Sequence, residues 1–231
     1  MRLRRFFVVF VLLSISVFVS CGGQTSEPTA TNAVSVPVVV TPDSVATSSS
    51  LVPTTSEVLS QQSMVGVYFM KNELISVAGR LVGTPNIDAA LHSLLLGPTA
   101  AEAGDGVVTY IPEGTQLLNV KVVGATALID VSKDFATGGG SLSMMGRIAE
   151  IVYTATSFSE VKRVTIRIGG VSVEQIGGEG IDVSDIGRSD YMDYSPIILV
   201  DSPVPHQAVS HDIHIVGMSN TFEAGINYQV I

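Results

Sequence analysis

Apolar and polar residues first fall into order at Met64. Val65, Val67 and Phe69 alternate with Gly66, Tyr68 and Met70, the period of a strand. A second short strand, about Leu74 to Val77, is expected after Lys71-Asn72-Glu73. The period then changes. Thr84-Pro85-Asn86 opens a helix whose Ile87, Ala90, Leu91, Leu94 and Leu95 share one face. Gly97-Pro98 follows, and could be a helix stop or part of a ligand loop. No Gly-Lys-Ser/Thr run follows Gly97, as a phosphate loop requires. A helix stop is the expectation, with Thr99 capping a further turn from Ala100 to Ala103. Gln116 to Val131 reads as a hairpin turning at Gly124-Ala125, where Gly in first place suits a type II′ turn. Leu118, Val120 and Val122 should share one face of its first strand, and Ala127, Ile129 and Val131 one face of its second. Ser141 should cap a second helix with Leu142, Met145, Ala149, Val152 and Tyr153 on one face. Val164, Ile166 and Ile168 form a further strand, turned by Gly169-Gly170. Ile176 to Tyr194, rich in Gly and Asp, reads as loop.

The residues before Met64 have another character. Arg2, Arg4 and Arg5 precede an apolar run from Phe6 to Val19, short for a bilayer span of about 20 residues. This describes a secretory signal peptide over residues 1–20, with an uncleaved anchor as the alternative. Cys21 is the sole cysteine of the 231 residues, which excludes an intramolecular disulfide. With Ser20 before it and Gly22-Gly23 after it, Cys21 resembles the lipidated cysteine of a bacterial lipoprotein signal; the other reading is a chance thiol. Acyl chains there would supply a stable membrane anchor. Residues 21–62 are rich in Ser, Thr, Pro and Val and contain no Lys or Arg. They read as a disordered tether reaching about 35 Å. Its one apolar patch is Val36 to Val40, where Pro37 argues against a strand.

Hydrophobic residues make up 46% of the chain, enough for a packed core, and the formal charge is −9. Loss of residues 1–20 would leave nine basic side chains against 21 acidic ones. That balance, with no Trp and 6% aromatics, argues against nucleic acid as a partner. No catalytic residue, metal ligand or cofactor is expected. His211 and His214, three apart, would face opposite sides of a strand, and His92 borders the apolar helix face. Asp182, Asp185, Asp190 and Asp193 form a loose acidic cluster. Gly187 and Asp193 fall at the sixth and twelfth places of an EF-hand count from Asp182, but Ile186 takes a ligand position and no Glu closes the loop. Gly139 precedes Ser141 by two as in a nucleophile elbow, yet Ser143 stands where the second Gly belongs. Arg163 and Arg167 share a strand face, and Lys162 beside them completes a basic spot suited to an acidic partner.

Four stretches, in order, carry a family resemblance: VYFMKNELISVAGR, ALHSLLLGPT, YIPEGTQLLNVKVVGATALIDVSKDF and IAEIVYTATSFSEVKRVTIRIGG. Together they resemble the GerMN (sporulation and spore germination) domain over about Val65 to Tyr191. The specific pieces are Leu95-Leu96-Gly97-Pro98, Ile111-Pro112 with Gly114-Thr115, Asp130-Val131-Ser132 and Tyr153-Thr154. The resemblance implies an α+β domain over 63–194, a small sheet with two main helices on one side. It is similar to ring-building motifs of envelope assemblies, and implies no catalytic residue. Residues 195–231 resemble the start of an immunoglobulin-like domain, through Ser202-Pro203, Val216-Gly217 and Phe222-Glu223-Ala224. Strand alternation at Ile213 and Ile215 supports this. Only 36 residues follow Ser195, where a whole sandwich needs about 100, so a truncated all-β segment is expected.

The sequence thus predicts a non-enzymatic lipoprotein on the extracytoplasmic face of the cell membrane. The membrane, through the lipid anchor, and an envelope protein are its expected partners, and a homo-oligomer is left open. An envelope hydrolase or cell-wall ligand-binding protein using Ile176 to Tyr194 is the alternative.

Overall fold

The computed structural model describes residues 62–221. Strands β1 (Ser63–Lys71) and β2 (Leu74–Val82) form an antiparallel hairpin. Its two-residue turn, Asn72-Glu73, has φ of 52° and 64°, matching the right-handed twist of the strands. β2 runs five residues past the expected Val77. Gly79 interrupted the side-chain pattern there, but the ladder continues through Gly66↔Gly79 to Ser63↔Val82. Helix α1 (Ile87–Leu95) starts where the Asn86 side chain accepts from the Ala89 N–H at 2.8 Å. It buries Ala90, Leu91 and Leu94. Gly97, at φ 76°, stops it, as expected. Thr99 then caps α2 (Ala100–Gly104) in a reciprocal box with Glu102. β3 (Val107–Val108) pairs with the end of β1.

The second sheet begins with β4 (Leu117–Val123) and β5 (Thr126–Val131), joined at Gly124-Ala125 with φ 61° at Gly124. Leu117 pairs with Val131 and Asn119 with Asp130, so Leu118 is the extra residue of a bulge. Its side chain is 50% exposed. The expected inward trio is therefore corrected: Leu117, not Leu118, joins Val120 and Val122 against the core, because one extra residue reverses a period-two pattern. After a 3-10 turn at Lys133–Ala136, helix α3 (Ser141–Ala155) carries the chain to β6 (Arg163–Ile168), which lies parallel to β5. Ser141 is the first helical residue of α3 and not its cap. Gly140 holds the cap position, and Ser141 Oγ donates to the Glu179 carboxylate. Gly169-Gly170 turns β6 into β7 (Val171–Ser172).

Where loop was expected, β8 (Gln175–Ile176) and β9 (Ile181–Asp182) form a short ladder, followed by a 3-10 stretch at Arg188–Tyr194. Finally β10 (Ile198–Ser202) pairs with β11 (Val216–Ser219). Ile213 and Ile215 lie before β11 and are exposed, so the expected alternating strand begins only at Val216.

The α+β class matches the expectation. Its strands divide among the ladders β2-β1-β3, β4-β5-β6-β7, β8-β9 and β10-β11. α3 is the centre of the core. One apolar face was expected, but every residue from Gly146 to Ala155 is buried. The helix is enclosed by β1, α1, β6 and the 3-10 stretch, so Arg147 and Glu150 are buried with the rest. Leu142, assigned to the inner face, is exposed at the start of the helix.

Candidate functional site

Polar chemistry in the core gathers at three joints. The first is centred on Arg188, at the start of the 3-10 stretch. Its guanidinium donates to both Asp201 oxygens at 3.0 and 2.8 Å, to Thr156 Oγ1 at 2.8 Å and to the Tyr153 carbonyl at 3.2 Å. It lies over the rings of Tyr153 and Tyr68, 4.8 and 5.4 Å from their centroids. The Tyr68 hydroxyl donates to the same Asp201 carboxylate. Burial, then Asp201, pushes the Tyr68 phenol well above its ordinary range. Burial opposes the charge on Arg188, and Asp201 more than offsets it. The joint binds β1, α3 and β10 into one network.

The second joint is Glu150, fully buried on α3. Thr109 Oγ1 donates to it at 2.6 Å and the Tyr110 N–H at 2.7 Å. Burial pushes its pKa up to about 8, against the two hydrogen bonds and Arg147. Tyr110 also lies across Gly146, where a Cβ would stand 2.1 Å from its ring. One turn earlier, Arg147 donates to the carbonyls of Phe135, Thr137 and Gly138, fixing the glycine-rich loop before α3. Burial lowers the Arg147 pKa. The third joint lies between the sheet and α2. Arg80 donates to both Glu102 oxygens at 2.7 Å and sits 5.3 Å over the Phe69 ring. Hydrogen bonding from Arg80 lowers the Glu102 pKa to about 2. None of these joints was foreseen. The signal for the second was a pair of charges, Arg147 and Glu150, inside an otherwise apolar helix.

The residues that carry the family resemblance are occupied in the same way. Thr115 donates through both its N–H and its hydroxyl to the Pro112 carbonyl, closing a turn with Gly114 at φ 84°. Asp130 accepts from the Gly170 N–H at 2.9 Å. Thr154 Oγ1 accepts from the Tyr68 N–H at 3.0 Å, satisfying a strand donor that β2 does not reach.

The residues singled out from the sequence stay apart. His92 pairs with Asp88 on the exposed side of α1, and His206, His211 and His214 are exposed. Asp185 and Asp190 both bind Arg163, and Asp182 accepts from Gln175. Among the described residues, no group of three His, Cys, Asp or Glu could hold a metal ion. Lys162 is exposed beside Arg163. Arg167 donates to the Gly170 carbonyl, and its buried Nε has no partner among the described residues. Cys21, residues 1–61 and residues 222–231 lie outside the described residues. No helix among the described residues is long and apolar enough to cross a membrane.

The charged core residues of this α+β body tie its elements to one another. Residues 66–174 match the family model described as "Sporulation and spore germination" (Germane). Those residues are thus similar to a GerMN domain. Among solved structures it is similar to the tandem GerMN domains of the sporulation protein GerM from Bacillus subtilis: 20% identity, 56% of this chain, 47% of that chain, TM-score 0.48. The chain thus spans about half the length of that structure. The first GerMN domain of the same protein gives 23% identity, 55% of this chain, 99% of that one and TM-score 0.45. A Clostridium perfringens protein described as a lipoprotein gives 20%, 58%, 93% and 0.42. No curated protein matches the chain.

Proposed function

We propose that this chain is a non-enzymatic envelope lipoprotein, held through a lipid on Cys21 to the extracytoplasmic face of the cell membrane. Its GerMN domain serves as an assembly or protein-interaction module. One observation carries the reading. The polar motif residues of the domain, from Thr115 to Thr154, are spent on turns and joints, and so are Arg80, Arg147, Glu150 and Arg188. What the domain offers outward is surface. Lys162, exposed next to Arg163 just before the strand that carries Arg167, is the basic spot proposed to meet an acidic envelope partner.

The test is crosslinking and pull-down of the full-length protein from isolated envelopes, comparing wild type with Cys21→Ser and Lys162→Glu. Wild type should incorporate labelled palmitate and yield a discrete protein crosslink. Cys21→Ser should lose the label and leave the membrane fraction, and Lys162→Glu should weaken the crosslink several-fold. Purified protein that cleaved peptidoglycan fragments, and stopped after one substitution, would overturn the proposal in favour of an envelope hydrolase.

A further inference from the structure

Two glycines face one another in the first hairpin: Gly66 of β1 is paired with Gly79 of β2. Glycine weakens a strand interior, and a pair of them marks close approach by another piece of backbone. Here that piece is the chain beyond β10. A Cβ on Gly79 would lie 2.3 Å from the Pro205 carbonyl oxygen, and one on Gly66 would lie 3.2 Å from Val204 Cγ1. Val204 is buried over this bare patch, and its N–H and C=O are both taken by Gln207. Three residues earlier, Asp201 is held by Arg188 and Tyr68. Slot and latch are therefore engaged by the same five residues, Asp201 to Pro205.

Beyond that engagement the segment is held to the core by Leu199 and Met218. Pro205 to Gly217 are all exposed, and a two-stranded ladder is marginal by itself. Segments with few buried apolar contacts open at lower free energy than the core they rest on. The contacts are specific, and the remainder is weak.

We propose that residues 198–221 form a strap that is seated on the GerMN domain and released from it separately, with Gly66 and Gly79 as its slot and Arg188 as its latch. The occupant of the slot is this chain's own Val204-Pro205. Release uncovers a flat backbone patch beside Tyr68 and Arg188. It also frees the strand pair, whose Ile198, Val200 and Val216 are already exposed, to change its orientation.

Hydrogen exchange read by mass spectrometry on the full-length protein tests it, with wild type beside Gly79→Val, Val204→Asp and Asp201→Asn. Val204→Asp and Asp201→Asn alter only the strap side, so they carry the test should Gly79→Val fail to fold. In each folded variant, amides of Leu199, Val200 and Met218 should exchange about tenfold faster or more, while those of Ile148 to Ala155 keep wild-type protection. Loss of protection in α3 to the same degree would overturn the proposal, because the segment would then be part of the cooperative core. Unchanged exchange across 198–221 in the folded variants would overturn it equally, because neither slot nor latch would be what holds the segment.

Discussion

Glu150 is the residue whose environment most contradicts its type. A carboxylic acid in an apolar helix would be read as solvent-facing, and the periodicity of residues 142–153 places it so. The structure encloses it because α3 is covered on all sides. The folded protein keeps the Glu150 proton up to about pH 8, whereas the unfolded chain releases it near 4.5. Between those values the folded state binds more protons. The Glu150 contribution is therefore fully present below about pH 4.5 and is lost as pH rises toward about 8. Denaturant unfolding at about pH 5 and about pH 8 should show that decline in the wild type and a flatter profile in Glu150→Gln. Glu150→Ala should cost about 2–4 kcal/mol at about pH 5, since Thr109 and the Tyr110 N–H lose their acceptor, and less at about pH 8, where the wild type has itself been weakened. Equal slopes in wild type and Glu150→Gln would contradict the assignment.

At the scale of elements, the sequence located the pieces well where local chemistry decides them. Asn86, Gly97, Thr99, Gly124 and Gly169-Gly170 marked caps and turns correctly, since each acts within a few residues of itself. Elements shaped by distant partners were misjudged. β2 was cut short at a glycine that exists for the sake of Pro205, more than 120 residues away. The β4 bulge at Leu118 was invisible, because an extra residue is defined only by the strand opposite. α3 was given one apolar face when it has no exposed one after Met145. Gly146 exposes that helix to the clearest test. Replacing a mid-helix glycine with alanine ordinarily gains up to about 1 kcal/mol. Here the new methyl would stand 2.1 Å from the Tyr110 ring, so Gly146→Ala should instead lower stability by about 1–3 kcal/mol. A thermal melt in which the variant unfolds above wild type would show that Tyr110 yields at no cost.

For the whole molecule, the order of motifs was enough to place the GerMN domain, and the structure explains why so little chemistry could be read there. The polar groups of the core bind one another and the backbone across elements. Several of these joints were hidden because their partners are far along the chain, 22 residues from Arg80 to Glu102 and 133 from Tyr68 to Asp201. Residues 195–231 read as the start of an immunoglobulin-like module; within them Asp201 and Val204 touch the first hairpin at Tyr68 and Gly66.

The side-by-side alignment of β5 and β6 imposes a tempo on self-assembly. Hairpins β1–β2 and β4–β5 close across two residues each, but β6 can join β5 only after the 31 residues from Ser132 to Lys162 have come round. Closing so large a loop before any reward is slow. Pulse-labelling during refolding should find β1, β2, β4 and β5 amides protected ahead of those of β6, and simultaneous protection would contradict this order. Until that last register locks, Val164 and Ile166 stand uncovered, so the interval before closure is when newly made chains are most apt to clump.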